Sequence, residues 1–268
     1  MSSVSFPTAV RSSDQPHHGG LRAWPLRARA LRIAIFGIIA MIGIWAAFGL
    51  FLDHVLGDTP VVELDDKVPQ WFEDRRTSTW NSLSYWGSML SDTYVKVALI
   101  IVVGVATMIA WRRWHDALML AGSVIIEATV FLFSSLIVQR PRPHVEQLDS
   151  IPPTGSFPSG HAAASTAFYL ALCVIVCWHT RRTWLRGVFV AIAVVAPLIV
   201  GVSRIERGMH HPIDVIAGVL LGVCSVLVMR RALQAGTERL RELQERGELH
   251  APPDALRLDL TAGEEDLR

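Results

Sequence analysis

Residues 117–143 read ALMLAGSVIIEATVFLFSSLIVQRPRP. Glu127 is the only charged residue in the apolar run 117–138, and two arginines separated by a proline follow closely. A hydrocarbon core takes about 20 apolar residues of helix, so this run is long enough to cross a bilayer. The segment therefore predicts a membrane helix that ends at a basic cluster, Arg140-Pro141-Arg142-Pro143.

Five further apolar runs have the same character, and they are 33–52, 97–110, 161–178, 187–203 and 212–229. The run 97–110 is short and reaches spanning length only with Tyr94 and Trp111 as interfacial anchors. Helices of a soluble bundle keep a polar stripe toward water, and these runs do not show one. We therefore predict an all-α, six-span transmembrane helix bundle.

The overall composition agrees with a membrane protein and limits its partners. Of the 268 residues, 51% are hydrophobic and 18% are charged, whereas a soluble domain carries about 25% charged residues. The formal net charge is +1, which gives no reason to expect a nucleic acid as partner. The three cysteines lie inside apolar runs without the histidine spacing of a metal site, so we expect neither a disulfide nor bound zinc.

The distribution of lysine and arginine between the loops predicts the orientation in a cell membrane. Basic residues concentrate in the N-terminal tail, in the loops at 112–113 and 181–186, and after residue 229. The positive-inside rule makes this side cytoplasmic, with both termini on it. The opposite side, which is extracytoplasmic, then receives the polar clusters described next.

These polar clusters lie at breaks between the apolar runs. Arg142 follows the third run, and His161 opens the fourth. Arg204 ends the fifth run, while Asp214 opens the sixth. Because successive spans alternate in direction, all four helix ends lie at the same face of the membrane. Charged groups at such positions are costly unless they are paired or hydrated, which makes them functional candidates.

The sequence Pro158-Ser159-Gly160-His161 carries the features of an anion site. Glycine permits a ligand to approach the backbone closely, and the free N–H groups of the first turn of a helix bind anions. A Ser-Gly pair in isolation is more often a simple N-cap. Beside the basic clusters we favour the anion site, with His161 placed to give a proton to a leaving group.

Two arginines and a histidine–acid pair complete the candidate chemistry. Arg142 and Arg204 have planar guanidinium groups that bind phosphate oxygens through two hydrogen bonds. His210 and Asp214 lie one helical turn apart, and a carboxylate that holds one imidazole nitrogen leaves the other free to attack phosphorus. His211 also reaches Asp214 at a three-residue offset, so spacing alone does not choose between the two histidines.

Together the clusters resemble the signature motifs of the type-2 phosphatidic acid phosphatase superfamily, in its integral-membrane branch of lipid phosphate phosphatases. The superfamily pattern is Lys-x6-Arg-Pro, then Pro-Ser-Gly-His, then Ser-Arg-x5-His-x3-Asp. The second motif matches in full as 158–161. The third also matches in full and selects His210 over His211; its members are Ser203, Arg204, His210 and Asp214.

The first motif is incomplete in this chain. Arg142 and Pro143 match it, but Ser135 stands where the superfamily has lysine. Ser135 offers a hydrogen bond and no charge, so one phosphate-binding cation is missing, and Arg140 is the nearest candidate substitute. Glu127 lies eight residues earlier on the same helical face. We expect it to face the bundle interior as a structural polar contact, with a role in the site as the alternative.

The resemblance implies a phosphatase that uses no metal and no other cofactor. In it His210 attacks phosphorus, Asp214 orients His210, and His161 protonates the departing alcohol. Fixed donors that neutralise the phosphate charge account for most of the catalysis of phosphoryl transfer. The resemblance assigns that function to Arg142, Ser159, the Gly160 amide and Arg204.

The predicted organisation is one membrane domain with two tails. A cytoplasmic N-terminal tail (1–32) precedes a six-helix membrane phosphatase domain (33–231), whose motif core is 117–230. A cytoplasmic helical extension and a disordered tail (232–268) follow. The first outer loop contains an amphipathic, acidic stretch with tryptophan, which predicts an interfacial helix.

The predicted function is hydrolysis of a phosphorylated membrane lipid at the outer face. Phosphatidic acid, phosphatidylglycerol phosphate and a polyprenyl phosphate or diphosphate are the candidate substrates. Two alternatives remain open. One is a phosphotransferase that passes phosphate from the same histidine to another acceptor. The other is a non-enzymatic membrane protein with a vestigial site, which the missing lysine favours.

Overall fold

A computed structural model describes residues 28–57, 59–111 and 114–245 of the chain. These ranges contain eight helices and no strand, which confirms the all-α prediction. The helices are α1 Ala28–His54, α2 Pro60–Glu73, α3 Ser78–Met89, α4 Thr93–Trp111, α5 Trp114–Val138, α6 Gly160–His179, α7 Thr183–Glu206 and α8 Pro212–Glu245. The predictions for residues 1–27, for Arg112 and Arg113, and for the disordered end at 246–268 lie outside the described residues.

Five helices are long and apolar enough to cross a membrane: α1, α5, α6, α7 and the Pro212–Gly236 part of α8. The helices α3 and α4 pass the same test as a pair that is bent by 41° at the break between them, so the described residues contain five spans, or six if this pair is counted as one. Large apolar side chains cover the outside of the bundle, such as Phe36 (74% exposed) and Ile109 (75%). A surface of this kind belongs in a bilayer, so the chain is a multi-pass membrane protein.

The predicted span over 97–110, with Tyr94 and Trp111 as anchors, corresponds to α4, and the bend that separates α3 from α4 was not predicted. A new helix starts within the span because Asp92 Oδ1 accepts the backbone N–H of Tyr94 at 2.9 Å. The break is packed against α6, since the Tyr169 hydroxyl donates to the Leu90 carbonyl at 3.2 Å.

The central helix α6 packs against α5, α7 and α8, and it approaches α8 most closely through glycines. A Cβ atom at Gly222 would lie 2.5 Å from the Ala163 carbonyl oxygen, and one at Gly218 would overlap the Ser159 carbonyl oxygen. Only glycine permits such a close backbone approach. The first turn of α6 is therefore held against the N-terminal half of the membrane-spanning part of α8, and both helices carry predicted site residues.

The helix α2 occupies the first outer loop, as predicted. Pro60 lies in its first turn, where the missing N–H of proline costs no hydrogen bond. Its faces differ in character: Val61, Leu64 and Trp71 are exposed, whereas Asp65 is buried. The amphipathic helix is thus present, and its position at the membrane interface stays a prediction.

Candidate active site

The three predicted motifs come together at one end of the bundle, where the loop 139–159 packs against the turn between α7 and α8. The Ser159 N–H donates to the Asp214 carbonyl at 2.9 Å, and the Leu148 N–H donates to the Arg207 carbonyl at 3.1 Å. These backbone bonds tie the loop to both helices. The predicted site residues gathered here are Arg142, Ser159, Gly160, His161, Arg204, His210 and Asp214.

His210 lies in the turn just before α8, and its side chain is 5% exposed. Its Nδ1 is 2.7 Å from the Ser156 carbonyl oxygen. Because a carbonyl oxygen only accepts hydrogen bonds, Nδ1 carries the proton and Nε2 keeps its lone pair. No hydrogen bond from the described residues reaches Nε2. The ring is therefore arranged as a nucleophile, and a main-chain oxygen orients it.

Asp214 does not make the predicted hydrogen bond to His210. Its Oδ2 lies 4.0 Å from His210 Nδ1 because the Ser156 carbonyl takes the Nδ1 proton. The buried carboxylate accepts instead from Arg140 Nη1 at 2.5 Å and from the His211 backbone N–H at 2.9 Å. Asp214 thus acts on His210 through its negative charge.

The neighbouring His211 has contacts on both ring nitrogens. Its Nδ1 lies 3.1 Å from Asp214 Oδ2, and its Nε2 lies 2.7 Å from Asp66 Oδ1. Each ring nitrogen of His211 therefore lies beside a carboxylate oxygen, and neither nitrogen is free to face a substrate. These contacts support His210 as the nucleophile, in agreement with the motif.

Arg140 is a partner of Asp214 rather than a substitute for the missing lysine. Its Nη1 binds Asp214, and its Nη2 binds Asp65 Oδ2 at 2.9 Å. The guanidinium is buried between these two carboxylates. Both terminal nitrogens are thus engaged away from the phosphate site.

Ser135, at the position of the missing lysine, does not face the site. Its hydroxyl donates to the Leu132 carbonyl of its own helix at 3.1 Å.

Glu127 is buried as predicted, but its Oε1 has no hydrogen bond from the described residues, so the expected polar contact at that oxygen is absent. Lys96 of α4 acts electrostatically on both Glu127 and His161.

The two motif arginines are anchored by some of their nitrogens and leave others unused. Arg142 Nη1 donates to the Met209 carbonyl at 2.5 Å, and Arg204 Nη1 donates to the Ser88 hydroxyl at 2.9 Å. The Nε atoms of both arginines and the hydroxyl of Ser159 are buried and have no partner among the described residues. Leaving a buried donor unpaired costs about 1–3 kcal/mol. The site thus holds three donors that lack an acceptor.

The start of α6 adds backbone donors to the same place. A Cβ atom at Gly160 would lie 2.9 Å from the Phe131 ring, so a larger residue would push the helix start away. The Ala163 N–H bonds to the Ser159 carbonyl at 3.0 Å, and the earlier N–H groups of the helix have no intrahelical acceptor. A helix start of this kind favours an anion.

Asp149 belongs to the site, although sequence reasoning missed it. Its Oδ2 lies 2.6 Å from Arg204 Nη1, and its Oδ1 lies 2.6 Å from Arg207 Nη2. Burial alone would raise the pKa of Asp149, but the hydrogen bonds from Arg207 and the charge of Arg204 lower it below its ordinary value. The carboxylate therefore stays ionised and fixes Arg204. A single acid in a loop gave no signal for this function.

The protonation of His210 gives a testable prediction. Burial, followed by the charge of Arg204, lowers the pKa of His210 to about 3. A lowered pKa means that the ring is neutral above this value, so Nε2 keeps its lone pair across roughly pH 5–8. In NMR of the histidine-labelled protein, the His210 ring signal, assigned by its loss in His210→Gln, should not titrate in that range. A midpoint near the ordinary value of 6.5 would contradict the prediction.

One end of the membrane helix bundle thus holds a buried histidine beside unpaired arginine and serine donors and a helix start, an arrangement that suits an anion. The family model of the PAP2 superfamily matches residues 116–238, which run from α5 into α8. The motif-bearing part of the chain is therefore similar to the PAP2 superfamily. The resemblance that the motifs indicated is thereby confirmed.

Two curated relatives align with one segment of the chain. The bacitracin transport permease protein BcrC of Bacillus licheniformis is 38% identical over 85 residues, which are 32% of this chain and 37% of that protein. The putative undecaprenyl-diphosphatase YbjG of Escherichia coli (strain K12) is 34% identical over 85 residues, 32% of this chain and 38% of that protein. The chain therefore matches little more than a third of the length of these relatives.

A solved structure shares the fold over a longer part of the chain. It is a transmembrane PAP2-type phosphatidylglycerolphosphate phosphatase from Bacillus subtilis. The similarity covers 76% of this chain and 95% of that one, with a TM-score of 0.62 and 18% sequence identity. The two proteins have the same membrane fold.

Proposed function

We propose that this protein is a metal-independent phosphatase that hydrolyses a phosphorylated membrane lipid through a phosphohistidine at His210. The reaction takes place at the extracytoplasmic end of the bundle, with both termini in the cytoplasm. The distribution of basic residues between the loops supports this orientation.

The three unpaired buried donors are the observation that carries the proposal. Arg142, Ser159 and Arg204 come from three different motifs, and each has a buried donor without a partner among the described residues. A phosphate group supplies several acceptor oxygens and negative charge to all of them at once. The same donors would stabilise the charge that builds up on the equatorial oxygens in the transition state.

The first chemical step transfers the phosphoryl group to the protein. The lone pair on Nε2 of His210 attacks phosphorus, and the bond from phosphorus to the bridging oxygen breaks. The bridging oxygen takes a proton from His161 as it leaves. The negative charge of a bound phosphate favours the protonated form of His161. The positive charge that develops on the His210 ring is stabilised by Asp214 at 4.0 Å.

The second step releases inorganic phosphate. A water oxygen attacks phosphorus while His161, now neutral, takes one proton from that water. The bond between phosphorus and Nε2 of His210 breaks, and the ring returns to its neutral form. The Ser156 carbonyl holds Nδ1 throughout, so Nε2 stays in line with phosphorus.

The substrate class is a lipid with a terminal phosphate or diphosphate. Phosphatidic acid, phosphatidylglycerol phosphate and polyprenyl diphosphate all present this group at the membrane surface. The names of YbjG and of the Bacillus subtilis phosphatase support testing a polyprenyl diphosphate and phosphatidylglycerol phosphate first.

A lipid panel tests the proposal on the purified full chain in detergent. We expect phosphate release from at least one of these lipids, unchanged by EDTA and blocked by vanadate, which mimics pentacoordinate phosphorus. Loss of turnover in EDTA would refute metal independence. Transfer of phosphate to an added alcohol in preference to water would indicate a phosphotransferase. Absence of turnover on every lipid would indicate a vestigial site.

A further inference from the structure

Two adjacent acids of α2 reach into the site from the first outer loop, outside all three motifs. Asp65 is buried, and each of its oxygens has a partner: Oδ2 binds Arg140 Nη2 at 2.9 Å, and Oδ1 accepts the Ile213 N–H at 2.9 Å. One carboxylate therefore fixes both the buried arginine and the first turn of α8. That turn also carries Asp214.

The second acid, Asp66, binds the other partner of Asp214. Its Oδ1 lies 2.7 Å from Nε2 of His211, whose Nδ1 lies 3.1 Å from Asp214 Oδ2. The same Asp214 carboxylate receives Arg140 Nη1 at 2.5 Å on its other oxygen. Two chains of contacts thus run from α2 to Asp214, one through Arg140 and one through His211.

Stability alone does not account for a buried acid at this place. Burial raises the pKa of Asp65, even though the Ile213 N–H and Arg140 act in the opposite direction. Its ionised form is therefore less favourable here than in water. Buried ion pairs of this kind are often replaceable by apolar residues without loss of stability. A function in positioning the reacting groups gives a reason for the acid.

We propose that Asp65 and Asp66 are positioning residues of the active site, which hold Asp214 at its distance from His210 by fixing Arg140 and His211. The inference rests on the proposed function of His210. In this arrangement α2 supports the site from outside. Five side chains share one hydrogen-bonded network, and they are Asp65, Asp66, Arg140, His211 and Asp214.

Removing either acid should weaken this network without touching the substrate. In Asp65→Asn, Arg140 loses one of its two carboxylates and is free to turn toward the phosphate site. In Asp66→Asn, the His211 ring loses its outer anchor. Loss of one charge-assisted bond of 1.5–3 kcal/mol corresponds to a kcat lower by about 10- to 100-fold. KM should stay within about threefold, because neither acid contacts the lipid.

The experiment compares these variants with a control on the same helix. Glu63→Gln removes an exposed α2 acid whose only ion pair among the described residues is with Lys67 at 3.9 Å, and its kcat should equal that of the wild type. Asp66→Glu keeps the charge on a side chain that is 36% exposed, and it should recover most of the activity lost in Asp66→Asn. Should Asp65→Asn fail to fold, the partly exposed Asp66 still tests the idea.

A double-mutant cycle tests the path through Arg140. If Asp65 acts through Arg140, then Asp65→Asn combined with Arg140→Met should be no slower than Arg140→Met alone, within about twofold. A loss in the double variant equal to the product of the two single losses would overturn this path.

A measurement that does not depend on turnover distinguishes failure of this inference from failure of the proposed function. The ring signals of His210 and His211, assigned through His210→Gln and His211→Gln, should both shift in Asp65→Asn and in Asp66→Asn. Unmoved His210 signals in both variants would overturn the inference whatever the activity. Absence of wild-type turnover together with shifted signals would overturn the proposed function alone.

Discussion

Replacing His210 with alanine should lower kcat on the preferred lipid by at least about 10⁴-fold, because the variant has no atom that can accept the phosphoryl group. The fold should survive, since the buried ring makes one hydrogen bond, to the Ser156 carbonyl. The measurement is phosphate release in detergent, with thermal unfolding of the variant as a check on folding.

Trapping the intermediate makes this prediction specific to one histidine. A phosphohistidine is stable in base and labile in acid, so alkaline quenching with a lipid radiolabelled in its terminal phosphate should leave label on the protein. The label should be absent from His210→Ala and present in His211→Gln, whose ring lies between two carboxylates. Label that persists in His210→Ala would show that another residue is the nucleophile.

Replacing His161 with asparagine should slow hydrolysis of the lipid by about 10²- to 10⁴-fold, the usual effect of removing a general acid. A lipid alkoxide is a poor leaving group and needs the proton, whereas p-nitrophenolate leaves without one. Loss on p-nitrophenyl phosphate should therefore be much smaller than loss on the lipid. Equal losses on the two substrates would contradict the assignment of His161 as the acid.

A second variant on the same helix controls for general damage to α6. Tyr169→Phe removes the hydrogen bond that joins α6 to the Leu90 carbonyl at the break between α3 and α4. This bond holds the helix but does not reach the reacting atoms. We expect kcat within about twofold of the wild type, with the same ratio between the two substrates.

The sequence was sufficient to group the residues that we propose to contact phosphate. Each motif lies at the end of an apolar run, and the alternating direction of the spans brings those ends to one face, as the contact between Ser159 and Asp214 shows. Hydrophobic length and motif spacing are local properties of the sequence. They predicted the membrane helices and the grouping of the site residues.

The sequence did not predict the groups that hold those residues in place. The Ser156 carbonyl orients His210, and a main-chain atom has no residue-type signal. Asp65 looked like one of several acids on the polar face of an amphipathic helix, and only the packing of α2 on α8 distinguishes it. Arg140 and Arg142 are the same residue type in the same basic cluster, and their different partners follow from the path of the loop.

One signal in the sequence was available and was overlooked. The break between α3 and α4 coincides with Asp92 beside Thr93, and an acid or hydroxyl residue before an apolar run is typical of a helix start. Recognising this helix start would have predicted two helices, one on each side of Asp92, in place of one short span. It would also have placed Lys96 within the first turn of the second helix.

Because α2 supports Arg140 and His211 from outside, the three motifs do not make a self-sufficient catalytic unit. The segment 116–238 carries all of them, yet the counter-ion of Arg140 and the outer anchor of His211 lie upstream in α2. A protein shortened to that segment would bury Arg140 with one carboxylate in place of two. Transplanting this chemistry onto another membrane scaffold would therefore require the first outer loop as well as the motif-bearing helices.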